Sequence, residues 1–130
     1  MLTNLTQTNI NQISPLALAY VGDAVFSLRV REVLVTKHQV SEAKLTKLCS
    51  RVVNAGNQSQ IFRLWQPLLT EAEADIARRA RNSHIHTKAK NYSVEEYIYA
   101  TALEAVVGYL YLTGQNERLC ELMKYVVEGL

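Results

Sequence analysis

Two carboxylates stand in the middle of the two most apolar stretches of the chain. Asp23 lies between Leu16 and Leu28, and Glu104 lies between Tyr99 and Leu110, each among Ala, Val, Leu and aromatic neighbours. Withdrawing an ionised carboxylate from water costs on the order of several kcal/mol unless a cation or hydrogen-bond donors compensate it. A hard divalent metal is the partner that suits paired acids, and its ordinary use in such a setting is the cleavage of phosphate esters. Each acid also has a glycine beside it. Gly22 directly precedes Asp23, and Gly108 lies one turn beyond Glu104 on the same helical face. Glycine inside a helix costs about 1 kcal/mol relative to alanine, so these two call for a packing reason. A close approach of two helices would bring both acids within reach of one ion. Thr101, one turn before Glu104, is placed to support that polar network or to orient a metal-bound water. The competing interpretation is that each acid bonds a basic side chain and only sets helix register.

A second group of residues carries positive charge. Between Ile76 and Val94 there are five basic residues (Arg78, Arg79, Arg81, Lys88, Lys90) and no acid, with Asn82 and His84 among them. Setting those five aside leaves nine basic residues against twelve acidic ones, so one segment holds the positive excess of a chain whose net charge is only +2. Forked arginine donors, lysine point charges and an asparagine amide suit contacts to a phosphate backbone. Lys44, Lys47 and Arg51, at i, i+3 and i+7, form a stripe that extends such a surface. A solvated charged loop is the alternative. His84 and His86 have the look of a metal pair, but no third ligand lies near them in sequence, and acids prefer a harder ion than zinc.

The elements that must position these groups read as helices throughout. Ser14 followed by Pro15 is a helix start, and the apolar repeat Leu18, Val21, Val25, Leu28 carries that helix to about Thr36. Ser41 caps a second helix from Glu42 to about Asn54, with Leu45, Leu48 and Val52 inward. Gly56 is expected to break or bend the chain before a short helix from Asn57 to Trp65, which Pro67 ends. Thr70 and Glu73 fit a capping box that opens a helix to about Arg81. Residues 82–92 read as a polar basic loop. Ser93 opens the long apolar helix bearing Glu104, which ends near Thr113 and Gly114. A last helix, from about Asn116 to Glu128, turns Leu119, Leu122, Met123 and Val126 inward. No segment alternates at period two, and the fold class is all-α.

At 130 residues and 48% hydrophobic, with two prolines and five glycines, the chain is a single globular domain and not a disordered or fibrous one. Residues 1–13 read as a flexible polar leader without the features of a signal peptide, and 14–130 as the domain proper. No apolar run approaches the roughly 20 residues of a membrane span. Cys49 and Cys120 lack metal-ligand spacing and fit two reduced thiols in a cytoplasmic protein.

The two acidic segments resemble those of a known family. Val21-Gly22-Asp23-Ala24-Val25 resembles the Leu-Gly-Asp-Ser/Ala-Val core of the ribonuclease III signature, and Thr101 to Leu110 resembles that family's second acidic motif. Residues 78–82, the lysines after them and the Tyr97–Thr101 stretch look like the short bacterial Mini-ribonuclease III subgroup in particular. The likeness spans roughly 14–130. Two further glutamates of the full-length signature are replaced here by Leu16 and Ala19, and an aspartate of the second motif by Thr101. The carry-over therefore holds for Asp23 and Glu104 only, a reduction that the Mini subgroup shares.

The resemblance implies a ribonuclease III endonuclease domain-like helical bundle and a Mg2+-dependent endoribonuclease acting on double-stranded RNA, with Mn2+ able to substitute. Asp23 and Glu104 would be the catalytic and metal-binding residues, and Arg78, Arg79, Arg81, Asn82, His84, Lys88 and Lys90 the RNA contacts. It further implies a two-fold homodimer with the Asp23 helix near the interface, one cut per strand, and products with a 5′-phosphate and a short 3′ overhang. Tyr20 and Phe26, one turn either side of the motif, are interface or core residues. No double-stranded-RNA-binding domain is expected alongside. The subgroup's implied task is maturation of large-subunit (23S) ribosomal RNA precursor, with that RNA as partner and room for a ribosomal protein that presents it. The alternative is a non-catalytic module of the same fold that binds RNA or a ribosomal particle. A helical dimerisation domain without RNA affinity is a third reading.

Overall fold

The computed structural model describes residues 7–83 and 93–130, and all of its regular elements are helices. They run α1 (Gln7–Ile10), α2 (Pro15–Lys37), α3 (Glu42–Val52), α4 (Ala55–Trp65), α5 (Glu71–Asn82), α6 (Val94–Leu112) and α7 (Asn116–Val127), with a 3-10 turn, Gln66–Leu68, after α4. Side-chain caps set most of the starts. Ser14, Ser41 and Asn54 each accept a backbone N–H three residues on, at 3.1, 3.2 and 2.9 Å. Thr70–Glu73 and Ser93–Glu96 form complete capping boxes. These bonds satisfy N–H groups that have no partner inside the first turn.

Gly56 does not break the chain. Asn54 caps α4 two residues earlier than expected, and Gly56 sits in the first turn of that helix. The break falls instead at Val53, whose ψ of 68° ends α3. At the other end of α6, Gly114 adopts φ 72°, and the Gln115 N–H reaches back to the Leu110 carbonyl at 2.9 Å. That is the left-handed stop which a side chain disfavours.

Helix α6 is the axis of the bundle. Every residue from Ala100 to Leu110 except Glu104 is buried, as an apolar helix surrounded by others should be. It packs against α2, α4, α5 and α7. Phe26, Phe62, Trp65, Ile76 and Leu119 of the surrounding helices are buried with Leu103 of α6 in one core. On α2 the buried row is Leu18, Gly22, Phe26, Val30 and Leu34, in steps of four. Leu28, a member of the apolar repeat that marks this helix in the sequence, is 54% exposed. The reason is the crossing at Gly22, which turns the i+4 row onto α6 and leaves the Leu28 side outward.

Two further points take definite form. Within the leader, residues 7–13 include α1, and Ile10 is fully buried in the common core. Phe26 is core, fully buried, whereas Tyr20 is 83% exposed. Among the described residues no helix is long and apolar enough to cross a membrane.

Candidate active site

Asp23 and Glu104 come together because α2 and α6 touch backbone to backbone. An added Cβ at Gly22 would lie 2.8 Å from the Gly108 nitrogen and closer still to the Glu104 carbonyl, and one at Gly108 would lie 3.1 Å from the Gly22 nitrogen. Only glycine fits at either position. With the helices this close, the Glu104 carboxyl is within hydrogen-bonding reach of Asp23. The two acids are not equivalent, however. Asp23 is exposed, and burial falls mainly on Glu104.

The consequence is electrostatic. Burial disfavours the charged form of Glu104, the hydrogen bond and the negative charge of Asp23 disfavour it further, and the Gln58 amide partly opposes both. Together they push the Glu104 carboxyl up to about 9. The proton that Glu104 keeps at neutral pH is what a cation would displace. Among the described residues no third His, Cys, Asp or Glu completes a cluster. The donor set is therefore sparse and made of oxygen, which fits a hard divalent ion that keeps several waters and takes the rest of its shell from a phosphate.

Gln58 is the residue that sequence reasoning missed. It is 4% exposed and stands on the inner face of α4, in register with Ile61, Phe62 and Trp65 at i+3, i+4 and i+7. A long amide side chain in register with Ile61, Phe62 and Trp65 was the available signal. Its amide approaches Glu104 closely enough to favour the ionised carboxyl, but Nε2 forms no hydrogen bond among the described residues. Thr101 is buried, and its hydroxyl donates to the Tyr97 carbonyl at 3.0 Å. Its proton is thus used within α6, leaving only the oxygen lone pairs for a neighbour.

The basic residues of α5 divide. Arg78 is exposed and ion-paired with Asp75, Asn82 is exposed at the helix end, and Arg79 is half-buried. Arg81 is half-buried with its guanidinium 6.0 Å from the Tyr99 ring centre, over which Arg63 also stacks at 4.7 Å. Arg63, not singled out by sequence, therefore shares an aromatic support with Arg81. His84, His86, Lys88 and Lys90 lie outside the described residues. Lys44, Lys47 and Arg51 are exposed along α3 as their spacing predicts.

Beside Asp23 the outer face of α2 is apolar and open. Leu16, Tyr20, Leu28 and Val35 are all exposed, and a shallow groove of about 500 Å³ is lined by Tyr20, Val21, Asp23, Ala24, Val25, Leu28 and Tyr111. Exposed apolar side chains gathered along one helix face are a common feature of interaction surfaces.

Comparison with known proteins gives a consistent picture. The family model for the Ribonuclease III domain matches residues 16–115. Mini-ribonuclease 3 of Clostridium tetani is 41% identical over 123 residues, covering 94% of this chain and 82% of that protein. Mini-ribonuclease 3 of Staphylococcus aureus is 39% identical over 126 residues, covering 95% and 94%. The crystal structure of protein FN1578 from Fusobacterium nucleatum superposes with a TM-score of 0.85 at 34% identity, covering 92% of this chain and 96% of the other.

Proposed function

The chain belongs to the ribonuclease III family, among proteins of the Mini-ribonuclease III kind, and is an endoribonuclease; from that premise we propose that it cleaves double-stranded RNA with the help of Mg2+ held at Asp23 and Glu104. The observation that carries the reading is the meeting of these two carboxylates at the Gly22–Gly108 crossing. A bound divalent cation supplies a nucleophilic water at neutral pH and neutralises charge on the leaving oxygen. The protein's own residues do the rest. Asp23, exposed at the rim, faces the incoming phosphodiester, and Glu104 holds the inner position. Arg78, Arg79, Arg81 and Asn82, continued by His84, Lys88 and Lys90, bind the RNA backbone. The deep major groove of A-form RNA hides base edges, so recognition rests on shape, phosphates and 2′-hydroxyls.

The open apolar face of α2 supports a two-fold homodimer, with Tyr20 and Leu28 at its centre and Asp23 at its edge. Two centres related by that axis cut one strand each, leaving a 5′-phosphate and a short 3′ overhang. Mn2+ substitutes for Mg2+, since both take oxygen ligands. The substrate class is ribosomal RNA precursor of the large subunit (23S), processed in the cytoplasm, with a ribosomal protein as the candidate partner that presents it. Similarity to the Mini-ribonuclease 3 proteins motivates this assignment.

A long RNA duplex incubated with and without Mg2+ tests the reading. Cleavage should require the metal, and Asp23→Asn should abolish it while duplex binding persists. Normal cutting by that variant rules the mechanism out.

A further inference from the structure

Gln58 is neither one of the two acids nor part of the basic surface, yet its setting is unusual. It is one of five buried residues of α4 and is 4% exposed. Of the other four, Ile61, Phe62 and Trp65 are apolar, and Ser59 donates its hydroxyl to the Gly56 carbonyl of its own helix at 3.1 Å. A leucine or methionine would fill the same space without desolvating an amide. A buried amide that served only to tie α4 to its neighbour would have a formed hydrogen bond, but its Nε2 has none among the described residues. The polar group it faces is the Glu104 carboxyl, on the helix against which α4 packs.

We propose that Gln58 is a positioning residue for the active centre: when a divalent ion is held by Asp23 and Glu104, the Gln58 amide would donate to one Glu104 oxygen and leave the other for the ion. The proposal rests on the reading of Asp23 and Glu104 as metal ligands. The chemistry favours an amide over a third acid here. A carboxylate ligand needs a donor for the oxygen that does not face the ion, and a neutral donor supplies it without adding negative charge to a buried site. A side chain from a third helix also removes the rotational freedom that Glu104 retains on α6 alone. With two carboxylates in place of a larger acidic cluster, orientation of each ligand matters more to affinity.

Gln58→Leu and Gln58→Met keep the volume and remove the amide. Mn2+ binding to the protein without RNA, followed by electron paramagnetic resonance, should weaken about 10- to 100-fold in both variants. The Mg2+ concentration for half-maximal duplex cleavage should rise by a similar factor, with most of the rate recovered at saturating metal. Thermal unfolding in EDTA should be unchanged or shifted upward, because an unpaired buried amide has been replaced by an apolar group. Wild-type Mn2+ affinity in a folded Leu or Met variant overturns the role of Gln58 and leaves the two-carboxylate reading intact. Mn2+ binding by wild type that Asp23→Asn does not weaken overturns both. Should one variant fail to fold, the other carries the test.

Discussion

Gly22 of α2 and Gly108 of α6 face each other so closely that a Cβ on Gly22 would stand 2.8 Å from the Gly108 backbone nitrogen. The obstructing atoms are backbone, so no rotamer change relieves the clash. The helices would have to part, taking Asp23 and Glu104 with them. Gly22→Ala and Gly108→Ala should each destabilise the protein by about 3 kcal/mol or more, at or beyond the usual overpacking range. Each should also lose cleavage under conditions where the fold survives. Urea melts beside a duplex-cleavage assay measure both. The double variant should cost less than the sum of the singles, because the first methyl already separates the helices.

The carboxyl pair ties metal binding to pH. Without metal, Glu104 is pushed up to about 9 by burial first and by Asp23 second, against an ordinary value of 4.5. Between those limits the native state holds a proton that the unfolded chain has released. Stability of the metal-free protein should therefore fall as pH rises through that window, by at most about 1.4 kcal/mol per pH unit from this group. Mg2+ should reverse the trend, since its binding expels the proton and tightens with pH. Calorimetry of Mg2+ binding at neutral pH, in buffers of different ionisation enthalpy, should report proton release. Binding without proton release contradicts a protonated Glu104 in the metal-free protein.

Glu73 responds to pH in the opposite sense. Burial alone would raise it, but two hydrogen bonds from Arg118, both at 2.9 Å, and the capping bond at Thr70 hold it below the ordinary carboxylate value. Its contribution is fully present above that ordinary value and is lost as pH falls through the lower, native one. Arg118→Met should cost about 3–5 kcal/mol by stranding a buried charge. Replacing both partners, Glu73→Met with Arg118→Met, should cost less than Arg118→Met alone. Thermal melts between acid and neutral pH distinguish this pair from the Glu104 effect by sign.

Tyr20 and Phe26 give the test of the open face. Phe26 is fully buried and Tyr20 is 83% exposed. Tyr20→Asp should therefore leave the melting temperature of the fold nearly unchanged and convert the proposed dimer to monomer in sedimentation velocity. Phe26→Ala should instead destabilise the fold by about 3–5 kcal/mol through a core cavity. A Tyr20→Asp protein that remains dimeric places the interface elsewhere.

Charge reversal of Arg78, Arg79 and Arg81 together should weaken duplex binding and make its dependence on salt shallower, by about 0.9 in log–log slope for each phosphate that is no longer neutralised. Arg81 also packs toward Tyr99, so Arg81→Lys, which keeps charge and loses the planar stack, separates binding from packing. Binding that is unchanged in the triple variant removes α5 from the RNA surface.

Local chemistry made most helices legible in the sequence. Ser14, Ser41, Thr70 and Ser93 bond N–H groups three residues away, an interaction that depends on neighbouring residues alone. Asn54 escaped notice because Gly56 two positions later reads as a stronger interruption. In the first turn of a helix, where N–H groups lack intrahelical partners anyway, it interrupts little. The acids were legible too, as charges set in apolar runs, and the facing glycines hinted at their meeting.

What the chain order alone left open all depends on partners far apart in sequence. The inner row of α2 was settled by its crossing at Gly22, which left Leu28 outside and Phe26 within. The different fates of Asp23 and Glu104, one at the rim and one beneath it, followed from where α6 sits among its neighbours. Gln58 joined them only because α4 packs on α6 at the level of Glu104. Caps and periodicity are properties of short segments, whereas the environment of a titrating carboxyl is a property of every helix that encloses it.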